Sequence, residues 1–159
     1  MTTTNISNSD DVIDSRDIIA RLEELTEDRD ALQEDINDKQ QELANLNADA
    51  DNDERTEALD ALDEARSNLD NWEDKQEFEI LSKVAEQGEG YGDWSYGETL
   101  INEDYFEKYC IELVKDMGGM PKDIPSYIEN NINWEGVAED LKADYTEIDF
   151  DGTSYFMRA

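Results

Sequence analysis

Residues 18–46 read IIARLEELTEDRDALQEDINDKQQELANL. Ile18, Leu22, Leu25, Leu32, Ile36, Leu43 and Leu46 fall on alternating steps of three and four. That spacing puts the apolar side chains on one stripe of a helix, so it predicts a coiled-coil-type helix held over about four heptads. Arg29 and Lys39 occupy two seam positions where the repeat asks for an apolar residue. The pattern turns helical at about Asp14, and Ser15 with its acidic neighbours suits an N-cap.

The run Asn47-Ala48-Asp49-Ala50-Asp51-Asn52-Asp53 interrupts the register and suits a helix–helix connection. Asp49, Asp51 and Asp53 have the spacing that opens a calcium loop. The sixth position, however, is Glu54 where the sharp turn wants Gly, and the twelfth is Asp60, not Glu. No metal or other cofactor is expected there. Ala58, Leu62, Ala65, Leu69 and Trp72 resume the register, which predicts a second helix over residues 54–86. Two long helices with a short link make an antiparallel hairpin. Its seam is thin in large side chains, so it calls for a partner, either the rest of the chain or a second copy in a homodimer.

Four glycines within residues 87–97 mark a change of composition. Beyond it, residues 103–117 read as a helix with Phe106, Cys110, Leu113 and Val114 on one face, stopped by Gly118-Gly119. Residues 134–143 read as another. Residues 145–150 and 153–158 flank Asp151-Gly152, a strong hairpin signal, and residues 99–101 suit a short strand. The expected fold class is therefore α+β: a disordered lead-in over residues 1–13, a long acidic coiled-coil-like antiparallel helical hairpin over 14–87, and a small α+β domain with a C-terminal β-hairpin over 88–159.

The 159 residues include 44 Asp and Glu against 13 Lys and Arg, a net charge of −31. Charge of this size destabilises a compact state by self-repulsion, and solubility needs a magnitude of only roughly 2–8. Disorder is one explanation of the excess, but the aromatic residues, most of them in the C-terminal half, argue against it. Adaptation to high salt is another. With no histidine, triads and His metal sites are excluded, and no carboxylate pair stands out from so many as an acid–base couple. Cys110 lies on the apolar helix face, where a structural role is expected over a nucleophilic one. The expectation is a protein that is not an enzyme. A single cysteine fits the cytoplasm, and neither a secretory signal nor a membrane-spanning run is legible. So anionic a chain is repelled by nucleic acid and by anionic lipid, and its natural partners are basic proteins.

Residues 1–87 hold 27 of the acids and eight of the bases. A helix of about 33 residues is roughly 50 Å long, so a hairpin of that length would carry one carboxylate per ~1.9 Å. Duplex DNA carries one phosphate charge per ≈1.7 Å of axis. The acids expected on outward faces, in the place of phosphates, are Glu23, Glu27, Asp30, Glu34, Asp38, Asp60, Asp63, Glu64, Asp70 and Asp74.

Across residues 78–158 runs a spaced string of aromatic and acidic words. It comprises Tyr96-Gly97-Glu98-Thr99-Leu100-Ile101, Tyr105-Phe106-Glu107-Lys108-Tyr109, Ile132-Asn133-Trp134-Glu135-Gly136-Val137-Ala138, Asp144-Tyr145 and Asp149-Phe150-Asp151-Gly152. This half of the chain resembles acidic antirestriction proteins of phages and mobile elements, of the ArdA type. The N-terminal heptad hairpin departs from that family. The resemblance implies DNA mimicry: occupation of the DNA track of a host restriction enzyme, with DNA-mimicking anti-CRISPR proteins as functional neighbours. The expected partner is a basic DNA-binding protein of a host defence system, either a restriction–modification enzyme or a CRISPR effector. The alternative is a coiled-coil assembly protein that pairs with itself or with a basic protein.

Overall fold

Thirty residues of the heptad stretch form one uninterrupted helix, α1 (Ser15–Ala44), in the computed structural model, which describes residues 5–118, 120–121 and 123–159. Ile18, Leu25 and Ile36 are buried along it, and Leu22, Leu32 and Leu43 are half-buried. The two cations in the seam keep their charge at its margin. The Arg29 guanidinium sits 5.0 Å from the Phe78 ring centre and donates to Asp30, while the Lys39 ammonium lies 3.6 Å from Glu42. The helix is capped within the expected region. Asp14, not Ser15, accepts from a first-turn amide, that of Arg16 (2.9 Å). The fully buried Ser15 hydroxyl instead donates to the Trp94 carbonyl and accepts from the Glu98 amide.

After the turn over residues 45–51, Asp51 caps helix α2 (Asn52–Asp70), its Oδ1 accepting from the Glu54 amide at 2.8 Å. Asp53 and Glu54, at the fifth and sixth positions, are thus already helical where a calcium loop makes its sharp turn. Ile36, Leu62 and Ala65 are buried together, with Leu43 and Leu69 packed against them, so α1 and α2 zip antiparallel on either side of the link. Each large aliphatic side chain buried there contributes about 1.5–3 kcal/mol.

The second helix does not run on to residue 86. It stops at Asp70, turns through residues 71–74, and resumes as α3 (Lys75–Gly88). Asn71 terminates it: its amide bonds back to the Ser67 and Leu69 carbonyls, and its side chain donates to the Ser67 hydroxyl. Trp72, which fits the heptad by spacing, leaves the helix and packs at 5.8 Å on Phe78.

The chain divides into two compact units. One is Arg21–Glu79; the other is Ile80–Ala159 together with the residues up to Ala20. The boundary expected near residue 87 is therefore displaced, because α1 and α3 each run from one unit into the other.

The second unit is built on an antiparallel sheet of β1 (Val12–Asp14), β2 (Thr99–Asn102), β3 (Tyr145–Phe150) and β4 (Thr153–Arg158), in the order β1-β2-β4-β3. Asp151 and Gly152 both have positive φ, 47° and 86°, as the type I′ hairpin turn requires. The disordered lead-in is corrected here. Val12–Asp14 pairs with β2, Ile13 is buried, and the Tyr155 hydroxyl donates to the Asp10 carbonyl at 2.6 Å. Three residues whose partners lie more than eighty positions away leave no periodicity to read. Residues 1–4 of the lead-in, and Gly119 of the expected helix stop, lie outside the described residues; Gly118 takes the left-handed φ of 70°.

Helices α5 (Glu103–Asp116) and α7 (Trp134–Lys142) cover one sheet face. There Ile101, Phe106, Cys110 and Ala138 form a buried cluster ringed by Tyr105, Tyr109, Leu141, Tyr145 and Phe156. Two four-residue helices complete the unit, α4 (Trp94–Gly97) and α6 (Ser126–Glu129). Trp94 packs directly on the Cα of Gly88, leaving no room for a methyl group. Gly88→Ala is therefore expected to destabilise the protein by about 1–3 kcal/mol through overpacking. Thermal unfolding followed by Trp fluorescence checks this, and an unchanged midpoint would refute the contact.

Candidate functional site

The candidate surface lies on the helices of the Arg21–Glu79 unit. At 3.6 residues per turn, Glu23, Glu27, Asp30, Glu34 and Asp38 share one stripe of α1, on the side away from Leu25, Leu32, Ile36 and Leu43. All five are exposed. Successive members are three or four positions apart, about 5–6 Å of rise, and the row is roughly 22 Å long. On α2, Asp60, Asp63, Glu64 and Asp70 are likewise exposed and point away from Leu62 and Ala65.

Asp30 and Asp74 differ from the rest. Asp30 already accepts from the Arg29 guanidinium, at 2.7 Å and 3.1 Å, so part of its charge is neutralised. Asp74 is in the 71–74 turn, not on a helix, is half-buried, and stands close enough to Arg21 to favour that cation's charge. Arg21 itself is forked on Glu77, at 2.8 Å and 2.9 Å, and also reaches Glu24 at 3.1 Å. The Glu77 hydrogen bonds, opposed by burial, push its pKa upward and keep it charged. This pair ties α1 to α3 within the unit.

A second acidic row escaped the sequence reading. Glu24, Asp28, Asp35 and Glu42 are all exposed and lie on α1 one step round from the first row. Their spacing of four, seven and seven was available in the sequence, but they flank the seam and so did not register as outward. Glu24 and Glu42 each meet a cation, Arg21 and Lys39.

Residues 21–44 of α1 and the whole of α2 carry 16 carboxylates. Over a rod of about 36 Å that is one per ~2.3 Å, sparser than the ~1.9 Å expected and than the ≈1.7 Å of a duplex. The remaining acids of the first 87 residues lie on β1 and the residues before it, in the two turns, in the first turn of α1 and along α3. Charge placement also works against the helices themselves. Neither α1 nor α2 has a base in its last turn, where Glu42 and Asp70 instead oppose the macrodipole.

Elsewhere the chemistry is quiet. Cys110 is fully buried, and burial raises its thiol pKa, away from the reactive thiolate. Among the described residues no Cys, Asp and Glu group is arranged to hold a metal ion, and no helix is long and apolar enough to cross a membrane. The segments that carry the resemblance to antirestriction proteins map to α4 and β2, to α5, to the start of α7, and to the β3–β4 hairpin. Comparison of the chain with protein-family models, with curated proteins and with solved structures finds no match.

Proposed function

We propose that this protein is a DNA-mimic inhibitor: its exposed carboxylate rows occupy the basic DNA-binding surface of a host defence enzyme, either a restriction–modification enzyme or a CRISPR effector. The observation that carries this reading is the row Glu23, Glu27, Glu34 and Asp38, all exposed along one side of an uninterrupted helix. Such carboxylates engage Lys and Arg as phosphates do, through charge-assisted hydrogen bonds that fix position but read no sequence. A sparser charge than DNA's makes competition depend on several contacts together, as a field and not as a single key residue.

The assembly reading draws less support. Ile36, Leu62 and Ala65 are buried within one chain's own hairpin, so the seam has little apolar surface left to offer a second copy. Leu59 is the large apolar residue that α2 leaves exposed.

Displacement is the test. A fluorescent duplex bound to a purified type I restriction enzyme, and another bound to a Cas9-type effector, are titrated with the protein. Release of duplex from at least one of them, reversed by excess unlabelled DNA, is the expected result. Simultaneous binding of duplex and protein to both enzymes, without mutual weakening, would remove the basis for mimicry.

A further inference from the structure

The sheet of the second unit ends on two strands, β1 and β3, each with a neighbouring strand on one side only. β1 is three residues long, and its Asp14 is held by Arg16. β3 has six residues. In an antiparallel pair, successive residues point their backbone groups alternately toward the partner strand and away from it. Asp144 accepts from the Ala159 amide at 3.0 Å, so the even-numbered residues face β4, and Tyr145, Glu147 and Asp149 turn N–H and C=O outward. Asp149 is closed off. Its amide donates to Gln87 Oε1 at 2.8 Å, and its carbonyl accepts from Gln87 Nε2 at 2.9 Å. One side-chain amide from the end of α3 thus makes the two bonds that a residue of a further strand would make. Tyr145 and Glu147 have no such cover: among the described residues nothing bonds to their outward backbone groups.

Charge decides what can lie there. Residues directly opposite each other on neighbouring strands bring their side chains together, so like charges repel and unlike charges attract. Glu147 and Asp149 share one face of β3, both exposed, with exposed Asp144 and Asp151 at its two ends. None of these four acids forms an ion pair among the described residues. The nearest bases along the chain are Lys142, which meets Glu139, and Arg158, one strand further in and opposite Tyr145. A second copy would set β3 against β3, acid against acid, and is repelled; edge acids are a common guard against such pairing. A strand with Lys or Arg at alternate positions sets a cation opposite each acid instead.

We infer that the open edge of β3 takes up an extended basic segment of a partner protein as a fifth strand. Its backbone bonds to Tyr145 and Glu147, and its alternate Lys or Arg side chains pair with Glu147 and Asp149. In such strand addition the backbone supplies affinity and the alternate side chains supply specificity. Gln87 keeps the third rung shut until a strand replaces it. The inference shares the partner's basic character with the reading above, but it stands on the sheet and does not need the α1 row.

The probe is a nine-residue peptide of alternating Lys and Thr, titrated into the isotope-labelled full chain and followed by amide NMR. Its controls are an isomer with the lysines in one block, and two forms N-methylated at every Lys or at every Thr. The alternating peptide should bind about tenfold tighter than the block isomer, the worth of one or two backbone bonds. One methylated form should lose that factor and the other keep it, because only alternate amides face β3. Hydrogen exchange at the Tyr145 and Glu147 amides should slow on binding. Gln87→Ala, which opens the third rung, should tighten binding, and Glu147→Lys should weaken it about tenfold through the lost pair and the new repulsion. A thermal melt confirms folding; should Glu147→Lys melt early, Glu147→Gln takes its place. Changing Glu23, Glu27, Glu34 and Asp38 together to Lys should leave the preference for the alternating peptide intact. Equal binding of all four peptides would show attraction by the field of the chain alone, overturning the edge site and leaving mimicry standing. No binding, or a preference lost with the α1 row, would overturn it as well. Failure of the protein to displace duplex, with the peptide preference kept, would remove mimicry and uphold the edge site.

Discussion

Replacing Glu23, Glu27, Glu34 and Asp38 together by Lys is expected to weaken binding to the DNA-binding target by about 10²-fold or more at 50 mM salt. The estimate takes a hydrogen bond to a charged group as worth roughly 1.5–3 kcal/mol, and two or more such contacts as lost. One substitution, such as Glu34→Lys, should cost far less, because the row acts collectively. Asp30→Lys should cost least, since Arg29 already holds that carboxylate. Raising salt from 50 to 200 mM should weaken the native protein too. Proteins that contact 6–10 phosphates lose ~10³–10⁵ over that range; this rod is sparser in charge and condenses fewer counterions, so its slope should be shallower with the same sign. Affinities from the displacement assay, measured at both salts, decide the matter. Retention of affinity by the fourfold variant would dismiss the α1 row as the working surface.

Leu32→Pro should have the largest effect on stability. Position 32 is half-buried near the middle of the thirty-residue α1. Proline there removes one backbone donor, and its ring collides with the carbonyl one turn earlier, at a cost of ~3 kcal/mol or more. The Arg21–Glu79 unit rests on a thin cluster of Ile36, Leu62 and Ala65, which that loss should overwhelm. Far-UV circular dichroism of the full chain should show a large drop in helical signal, while the near-UV signature of the buried Trp94 and Tyr155 persists. Unchanged helicity would refute the packing described for this unit. Collapse of both signals would show instead that the two units fold as one.

What could be read in advance follows from how local each signal is. The Asp151-Gly152 turn and its strands lie within fourteen residues, and their bounds came out at the positions expected. Helix α1 repeats its apolar step for long enough to be unmistakable. β1 was invisible because a three-residue edge strand gains its meaning from β2, which lies far along the chain. The break at residues 71–74 was invisible for the opposite reason: Trp72 satisfies the heptad by number, whereas its packing on Phe78 pulls it out of the helix. The outward acids of α1 and α2 followed directly from the seam, because whatever opposes an apolar stripe faces water. Asp74 did not, since its place depends on that unforeseen turn.

The Arg21–Glu79 unit is an insert: the backbone leaves the sheet-bearing unit through α1 and returns to it through α3. A protease that nicks the exposed turn over residues 45–51 would therefore not shed the acidic hairpin, because each half stays spliced to the sheet, one through β1 and the other through β2 and β4. Only two cuts, one in each crossing helix, would set it loose. During synthesis the situation is the reverse. The insert is complete once residue 79 has emerged, whereas β1 must wait for residues 99–102 before it has anything to pair with. The hairpin would then be fully made on the ribosome while the scaffold that holds both its ends is still open.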